Sequence, residues 1–313
     1  MLWFAIKRLL TAIPTLLIVT TLTFLLVYML PGDAALTVLG DNATPEQLTT
    51  VRRQLGLDQP LLTQYLSFLG NLAQGEFGHS LITRQSVLQA IGQRSTVTLT
   101  LAIGATVFSA IVGVALGMWA SLKGGQVDRS LRTLTSVGMA IPSFWAGLLL
   151  VLAFAVTLNI FPANGYVAFG ADPGRWVMCL ILPVIAISIA AISTLTRQTR
   201  ASFQEVLGRD FIRSLRASGL PVRVIAFKHG LRNAAIPVIT VIGLQFVALL
   251  GGAVITEQVF ALPGIGQLVV NAVQQRDLPV VQGVVVYITV VVLLVNLALD
   301  LAQGWLNPKM RLS

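Results

Sequence analysis

Long uncharged apolar runs alternate with shorter polar stretches along this chain, and their lengths decide how they are read. A helix crossing the hydrocarbon core of a bilayer needs about 20 apolar residues. Six runs reach that length: 9–30, 96–122, 133 to about 158, 176–196, 233–256 and 278–299. The pattern predicts an all-α integral membrane protein with six transmembrane helices. The third run stays uncharged as far as Ala171, but the turn formers Asn159, Pro162, Asn164 and Gly165 close its helix earlier. Lys7 and Arg8 before the first run would also suit a signal peptide, yet the run has 22 residues. That exceeds a signal core of about 7–15 residues, so a retained first span is expected.

The longest polar interruption in the apolar half of the chain is 204–237. Leu207, Phe211 and Leu215 recur every four residues while Arg209, Arg213 and Arg216 line another side, which predicts an amphipathic helix. Gly219 and Pro221 break it. Leu220, Val224, Phe227 and Leu231 then set up a second, shorter stripe with Pro221 near its first turn. The expectation is two short helices meeting at a glycine turn. By pattern alone the stretch equally suits a solvated loop whose arginines hold the topology. Between the first two spans, Thr44-Pro-Glu-Gln47 is a capping box with Pro45 at the first helical position, Gly56 can close that helix, and Pro60 can start another.

Composition and charge agree with a membrane protein. Of 313 residues, 55% are hydrophobic and 11% charged, where soluble domains carry about a quarter charged. The net charge of +9 could suggest nucleic acid, but that requires basic residues gathered on one soluble face, and here they sit between apolar runs. Eight of the 21 basic residues lie between Arg197 and Arg232. With an inside amino terminus, 15 of the 21 fall on the cytoplasmic side, including Lys123, Arg129, Arg132, Lys309 and Arg311. The other six are Arg175, Arg276 and four in a long first loop, so both termini and the 204–237 loop are predicted to be cytoplasmic.

Candidate chemistry is sparse. No phosphate-binding Gly-x-x-x-x-Gly-Lys-Ser/Thr loop occurs, so this chain is not an ATPase of the usual kind. His79 and His229 fall on opposite sides of the membrane by the topology, which excludes a shared metal site, and the lone Cys179 offers neither an intrachain disulfide nor a cysteine metal site. No catalytic residue and no bound metal or cofactor are expected. No span carries a central acid or base, since Glu257 and Asp300 lie at span ends. That speaks against an ion-coupled secondary transporter. Nothing specifies the selectivity filter of a channel. Gly113-Val-Ala-Leu-Gly117 would let another helix approach closely, and Pro142 and Pro183 are expected to kink the third and fourth spans.

Against this background, Asp210-Phe-Ile-Arg-Ser-Leu-Arg-Ala-Ser-Gly219, followed by Lys228-His-Gly-Leu-Arg-Asn233 and Pro237, resembles the "EAA" coupling loop of ABC-importer permeases. His229-Gly-Leu-Arg232 departs from the Ile-x-Leu-Pro of other permeases in a way that resembles the dipeptide, oligopeptide and nickel subfamily. Met29-Leu-Pro-Gly-Asp33, Leu55-Gly-Leu-Asp-Gln-Pro60 and Gly75-Glu-Phe-Gly-His-Ser80 are similar to that subfamily as well. So are Leu250-Gly-Gly-Ala-Val-Ile-Thr-Glu257 with Val-Phe-Ala-Leu-Pro263-Gly-Ile-Gly266, Gln275-Arg-Asp-Leu-Pro279-Val-Val-Gln282, Asn296-Leu-Ala-Leu-Asp300 and Asn307-Pro308.

The resemblance implies a type I importer permease fold with a small helical periplasmic cap after the first helix. It divides the chain into a transmembrane helix at 1–30, a cap at 31–95, a core at 97–303 with the coupling loop at 204–237, and a cytoplasmic tail at 304–313. It implies an ATPase-coupling role for Asp210, Arg213, Arg216, Ala217, Gly219, Lys228, His229, Arg232 and Asn233. A periplasmic signature is implied at Pro31, Gly32, Asp33, Glu257, Phe260, Pro263, Gly264 and Gly266. The implied partners are a second homologous permease, two ATPase subunits that use ATP and Mg, and an extracytoplasmic binding protein, all at a bacterial inner membrane. The implied cargo is di- or oligopeptides, with nickel complexes or glutathione as alternatives.

Overall fold

Uncharged sequence in lipid must satisfy its own backbone, and helices do so within one segment. The computed structural model describes residues 2–29, 34–40 and 43–306. The helices are α1 (Leu2–Met29), α2 (Ala34–Leu39), α3 (Pro45–Gln54), α4 (Leu61–Ala73), α5 (Val87–Lys123), α6 (Gly125–Ala140) and α7 (Ser143–Leu150). They continue as α8 (Pro173–Leu207), α9 (Asp210–Ala217), α10 (Val222–Val224), α11 (Leu231–Val259), α12 (Ile265–Gln274) and α13 (Leu278–Leu306). Wider π turns extend α7 over Val151–Thr157 and join α10 to α11 over Ile225–Gly230. Among the described residues the one β feature is an isolated bridge between His79 and Ser86.

Five of these helices are long and apolar enough to cross a membrane, and the sixth span is a bent pair. The third span is therefore not the single helix expected at 133–158. It breaks at Ile141-Pro142, and its halves, Gly125–Ala140 and Ser143–Thr157, meet at 99°. Proline there does more than kink: without a backbone N–H, Pro142 becomes the N-cap of a new helix. Pro183, by contrast, lies within an uninterrupted α8. That helix also runs past the expected end at Thr196 as far as Leu207.

The described residues form two compact units, and the division falls inside α5 and inside α13. One unit comprises Val97–Leu262 with the segment from Ala298 onward; the other comprises Leu2–Thr96 and Pro263–Leu297. In the first, α6, α7 and α11 pack on α8. Lipid tails are as apolar as leucine, so such packing depends on close fit rather than on escape from water. The two glycines at 113 and 117 supply that fit. A Cβ on Gly113 would lie 2.7 Å from the Leu195 Cβ, and one on Gly117 would lie 2.7 Å from the Thr196 carbonyl oxygen. Leu182, Ala186, Ile187 and Ala191 of α8 share one buried cluster with Leu101, Leu249 and Ala253.

In the other unit, Val87 and Ile91 of α5 are buried with Ile265 and Ala272 of α12 and with Val280 and Val284 of α13. The N-terminal helices follow their predicted signals. Gln47 N–H donates to the Thr44 hydroxyl at 3.3 Å and Thr44 N–H to the Gln47 side-chain oxygen at 3.0 Å, completing the capping box. Gly56, at φ 68°, closes α3, and Pro60 is the N-cap of α4.

Candidate functional site

The polar stretch after the fourth span is built on a second buried cluster of the first unit. Phe203 and Val206, near the end of α8, meet Ile212 of α9 and Ile225 and Ala226 of the π turn, with Met118 and Ala234 beside them. Ile212 is fully buried and is the one buried side chain of α9. Leu215 of the same helix, half-buried, packs beside it against the cluster, so α9 rests on Ile212 with Leu215 in support. Asp210, Arg213, Arg216 and Ala217 all face outward. Asp210 in its first turn and Arg216 in its last both complement the helix dipole.

Gly219 ends α9. Its φ is 76°, its N–H donates to the Arg216 carbonyl at 3.0 Å, and the Leu220 N–H reaches back to the Leu215 carbonyl at 3.3 Å. This is the Schellman closure, in which a left-handed residue satisfies the last helical carbonyls. No neighbouring atom comes within 4 Å of a Cβ placed there, so glycine is required by its backbone angle and not by crowding.

Two expectations about this loop need correction. The stripe Leu207, Phe211, Leu215 does not share one helix, because the chain breaks at Gly208-Arg209 and resets the helical phase. Ile212 is fully buried, Leu207 and Leu215 pack half-buried beside it, and Phe211 is 39% exposed. The second segment is not a short helix either; it opens a span that runs over Val222–Val259. Within it the π turn inserts an extra residue per turn. That shifts the buried face to Ile225, Ala226 and Gly230 and leaves Phe227 63% exposed. Gly230 is needed here for space, since a Cβ would come 2.9 Å from the Phe203 ring. His229 is half-buried and its carbonyl accepts from the Asn233 amide at 2.7 Å, while Lys228, Arg232 and Asn233 are exposed.

The residues of the other expected signature do not form one group. Pro31, Gly32 and Asp33 lie outside the described residues. Glu257 is fully buried at the end of α11, where its carboxylate accepts from the Thr98 hydroxyl at 2.6 Å. Phe260 is also buried, and its carbonyl accepts from Gly165 N–H at 3.1 Å. Both belong to the first unit. Pro263, Gly264 and Gly266 begin the segment assigned to the second, Pro263 exposed and the two glycines buried.

Three features had escaped the sequence reading. Asp128, at the start of α6, is buried against Arg200 of α8, whose Nη2 donates to Oδ2 at 2.8 Å, and Arg132 adds a second cation at 3.4 Å. Arg200 is therefore a packed residue of α8 and not one of a solvated loop. Its carbonyl also accepts from the Ser121 hydroxyl of α5 at 3.1 Å. In the second unit, Asp277 accepts from the Ser80 hydroxyl and, at 3.0 Å, from the Leu81 N–H. Finally, α11 and α12 close through Ala261 (φ 51°) and Arg276 (φ 56°) in left-handed conformation, without the glycine that would have signalled a turn. Asp277 lies within the resembling Gln275–Gln282 motif, which was the available signal for it, but its partner Ser80 lies 197 residues away in sequence.

Six apolar spans, a broken third span and a short helix standing on the fourth and fifth define a multi-pass helical membrane protein of the type I importer permease fold. The chain belongs to the family described as the binding-protein-dependent transport system inner membrane component, which it matches over residues 113–312, and residues 1–102 match that family's N-terminal membrane component. Among its relatives is a putative peptide transport system permease protein of Brucella abortus (strain 2308), 41% identical over 98% of each chain. A probable peptide ABC transporter permease protein of Sinorhizobium fredii (strain NBRC 101917 / NGR234) is 37% identical over 98% of this chain and 99% of its own. The glutathione transport system permease protein GsiC of Escherichia coli (strain K12) is 41% identical over 99% of each. A solved chain from inward-facing conformations of the MetNI methionine ABC transporter shares the fold, with a TM-score of 0.56 at 16% identity over 70% of this chain and 97% of that one.

Proposed function

We propose that this chain is the permease subunit of an ATP-driven importer and forms half of a translocation path for peptides handed over by an extracytoplasmic binding protein. The observation that carries the reading is the end-to-end similarity to permeases whose names specify peptide transport, 41% identical over 98% of the chain. A second homologous permease completes the path and two ATPase subunits drive it. ATP and Mg are used in those subunits, and this chain binds neither. Glutathione, a γ-linked tripeptide, is the second reading, favoured by an equally similar relative that transports it by name.

In this proposal the chain lies in a bacterial inner membrane with both termini cytoplasmic, in line with the bias of basic residues. A first helix at 1–30 and a cap at 31–95 precede the core at 97–303 and the tail at 304–313. The 204–237 loop is the coupling element: α9 docks on an ATPase, offering Arg213, Arg216 and Ala217, with Lys228, His229, Arg232 and Asn233 alongside. Pro31, Gly32 and Asp33, with Glu257, Phe260, Pro263, Gly264 and Gly266, serve the periplasmic side. When the ATPases close on ATP they displace α9, and the burial of Ile212 against Phe203 and Ile225 supports transmission of that displacement to α8 and α11. Alternating access follows as these helices carry the α6–α7 span that packs on α8.

The test is uptake by vesicles containing the chain with its partner permease, ATPases and binding protein. Labelled dipeptides or oligopeptides should accumulate only with ATP and with the binding protein present. Preferential accumulation of glutathione would select the second reading, and peptide uptake without the ATPases would defeat both. Cysteines replacing the exposed Ser67 and Ser214, on a Cys179→Ser background, should react with an impermeant thiol reagent from opposite sides.

A further inference from the structure

Helix α4 carries more apolar surface than the protein covers. One face is used: the Tyr65 and Thr21 hydroxyls share a hydrogen bond of 2.5 Å, and the Phe24 ring of α1 lies 5.3 Å from Tyr65 and 5.9 Å from Phe68, centroid to centroid. The neighbouring face is bare. Leu62 is 67% exposed and Leu66 58%, and Gly70 continues their line at four-residue spacing. Thr63, Ser67 and Asn71 form a separate polar line, about 100° further round the helix. None of the 13 residues of α4 is charged, whereas α3 has Glu46, Arg52 and Arg53 among ten. An apolar line beside a polar one, both exposed, is the pattern of a helix lying at the boundary between an apolar phase and water.

What lies against that apolar line follows from α1. The described residues of α1 include a stretch, Leu10–Met29, long and apolar enough to cross a membrane. At a rise of about 1.5 Å per residue, Phe24 stands about 7.5 Å and Thr21 about 12 Å before Met29, the last described residue of that stretch. The residues of α4 that touch them therefore run beside the last two turns of a helix that crosses the bilayer. Interfacial helices rest about 5–10 Å into the boundary between headgroups and acyl chains, which is the same level. There α1 itself exposes Leu22, Leu25 and Leu26, the surface that a span presents to lipid.

We infer that α4 is an interfacial helix whose Leu62 and Leu66 lie in the bilayer leaflet at the C-terminal end of α1, with phospholipid as the occupant. With no basic residue in α4, its insertion depends on apolar area and is indifferent to anionic lipid. The inference rests on α1 crossing the bilayer, and the experiment separates the two claims. The full-length chain, assembled with its partner subunits in phosphatidylcholine vesicles, is spin-labelled at single cysteines replacing Leu62, Leu66, Ser67 or Leu22 on a Cys179→Ser background.

Labels at Leu62→Cys and Leu66→Cys should collide with dissolved oxygen more than with a water-soluble nickel chelate, as at Leu22→Cys, and the label at Ser67→Cys should show the reverse. Adding anionic lipid should change neither result. Chelate access at Leu62→Cys and Leu66→Cys equal to that at Ser67→Cys would mean that the face meets water, and poor access to both reagents would mean that protein covers it; either overturns the inference. Chelate access at Leu22→Cys would instead remove α1 from the membrane. If the labelled variants do not assemble, Leu66→Trp in vesicles of brominated lipid supplies the same reading: emission quenched beyond that of the parent protein supports the inference, and unchanged quenching overturns it.

Discussion

Helices α3 and α9 end in the same way and are held in opposite ways. Each is closed by a left-handed glycine, Gly56 at φ 68° and Gly219 at φ 76°, with the two back-directed hydrogen bonds of a Schellman motif. The start of α3 is fixed by a complete capping box, yet none of its residues is buried. In α9 the N-cap residue Arg209 makes no side-chain cap, yet Ile212 is fully buried among α8 and π-turn residues. Local bonds fix both ends of α3, which packs on its neighbour α2 without a buried side chain, whereas a core side chain holds α9. A helix fixed only locally can fray without moving the rest of the protein, whereas one fixed through a core side chain shifts that core when it is pushed. The difference suits α9 to transmit force and α3 to cover a surface.

The strongest attack on this contrast is Ile212→Ala. Truncating a fully buried isoleucine costs about 2–5 kcal/mol, and here it removes the one fully buried side chain of α9. The spans should insert normally, because their apolar length is unchanged and the larger buried cluster on α8 lies elsewhere along it. Amide exchange in α9 should rise sharply, and ATP-driven uptake in reconstituted vesicles should fall close to background. Uptake near the parent level would show that Ile212 transmits nothing.

What could be read in advance follows the range of the interactions involved. The six apolar runs, the capping box at Thr44, the turns at Gly56 and Gly219 and the close approach at Gly113 and Gly117 all rest on nearby residues or on periodicity. The face that α9 and the π turn bury was read in part: Leu207, Leu215, Leu220 and Leu231 pack on the cluster as their stripes predict. Ile212 and Ile225 were missed, however, and Phe211 and Phe227 are exposed, since a chain break at Gly208 and an i to i+5 turn at Ile225–Gly230 change the helical phase without changing the composition. The break at Pro142 was read as a kink because sequence does not reveal whether a neighbouring helix will hold the two halves together. Asp128 with Arg200 and Asp277 with Ser80 are pairs whose partners are set by tertiary folding, 72 and 197 residues apart. No local pattern marks which residues will pair.

A smaller and more discriminating comparison sets Gly219→Val beside Gly56→Val. A left-handed backbone costs a side-chain-bearing residue about 1–2 kcal/mol, and neither glycine is crowded, so the two substitutions impose similar strain. The consequences should differ. At Gly219 the strain redirects the chain between α9 and the span that begins at Val222, and uptake and co-purification of the ATPases should both fall by an order of magnitude or more. At Gly56 uptake should stay within about twofold of the parent. Equal losses would place the sensitivity in glycine closure itself and erase the distinction between the two helices.

The smallest expected effect belongs to Thr44→Ala, which removes the capping box from α3. The Thr44 hydroxyl accepts the Gln47 N–H, and without it one of the unpaired donors at the helix start loses its partner. Loss of such a cap costs about 1 kcal/mol. Because no residue of α3 is buried, that cost has no core through which to spread. Hydrogen exchange in the first turn of α3 should quicken by about fivefold, the factor that 1 kcal/mol corresponds to at room temperature, while exchange in α8 and α9 and the rate of uptake stay unchanged. Thr44→Ser should restore the slower exchange, since serine offers the same acceptor. A fall in uptake from so local a change would mean that α3 is mechanically linked to transport, and the contrast between a locally fixed helix and a core-anchored one would no longer account for which of them matters.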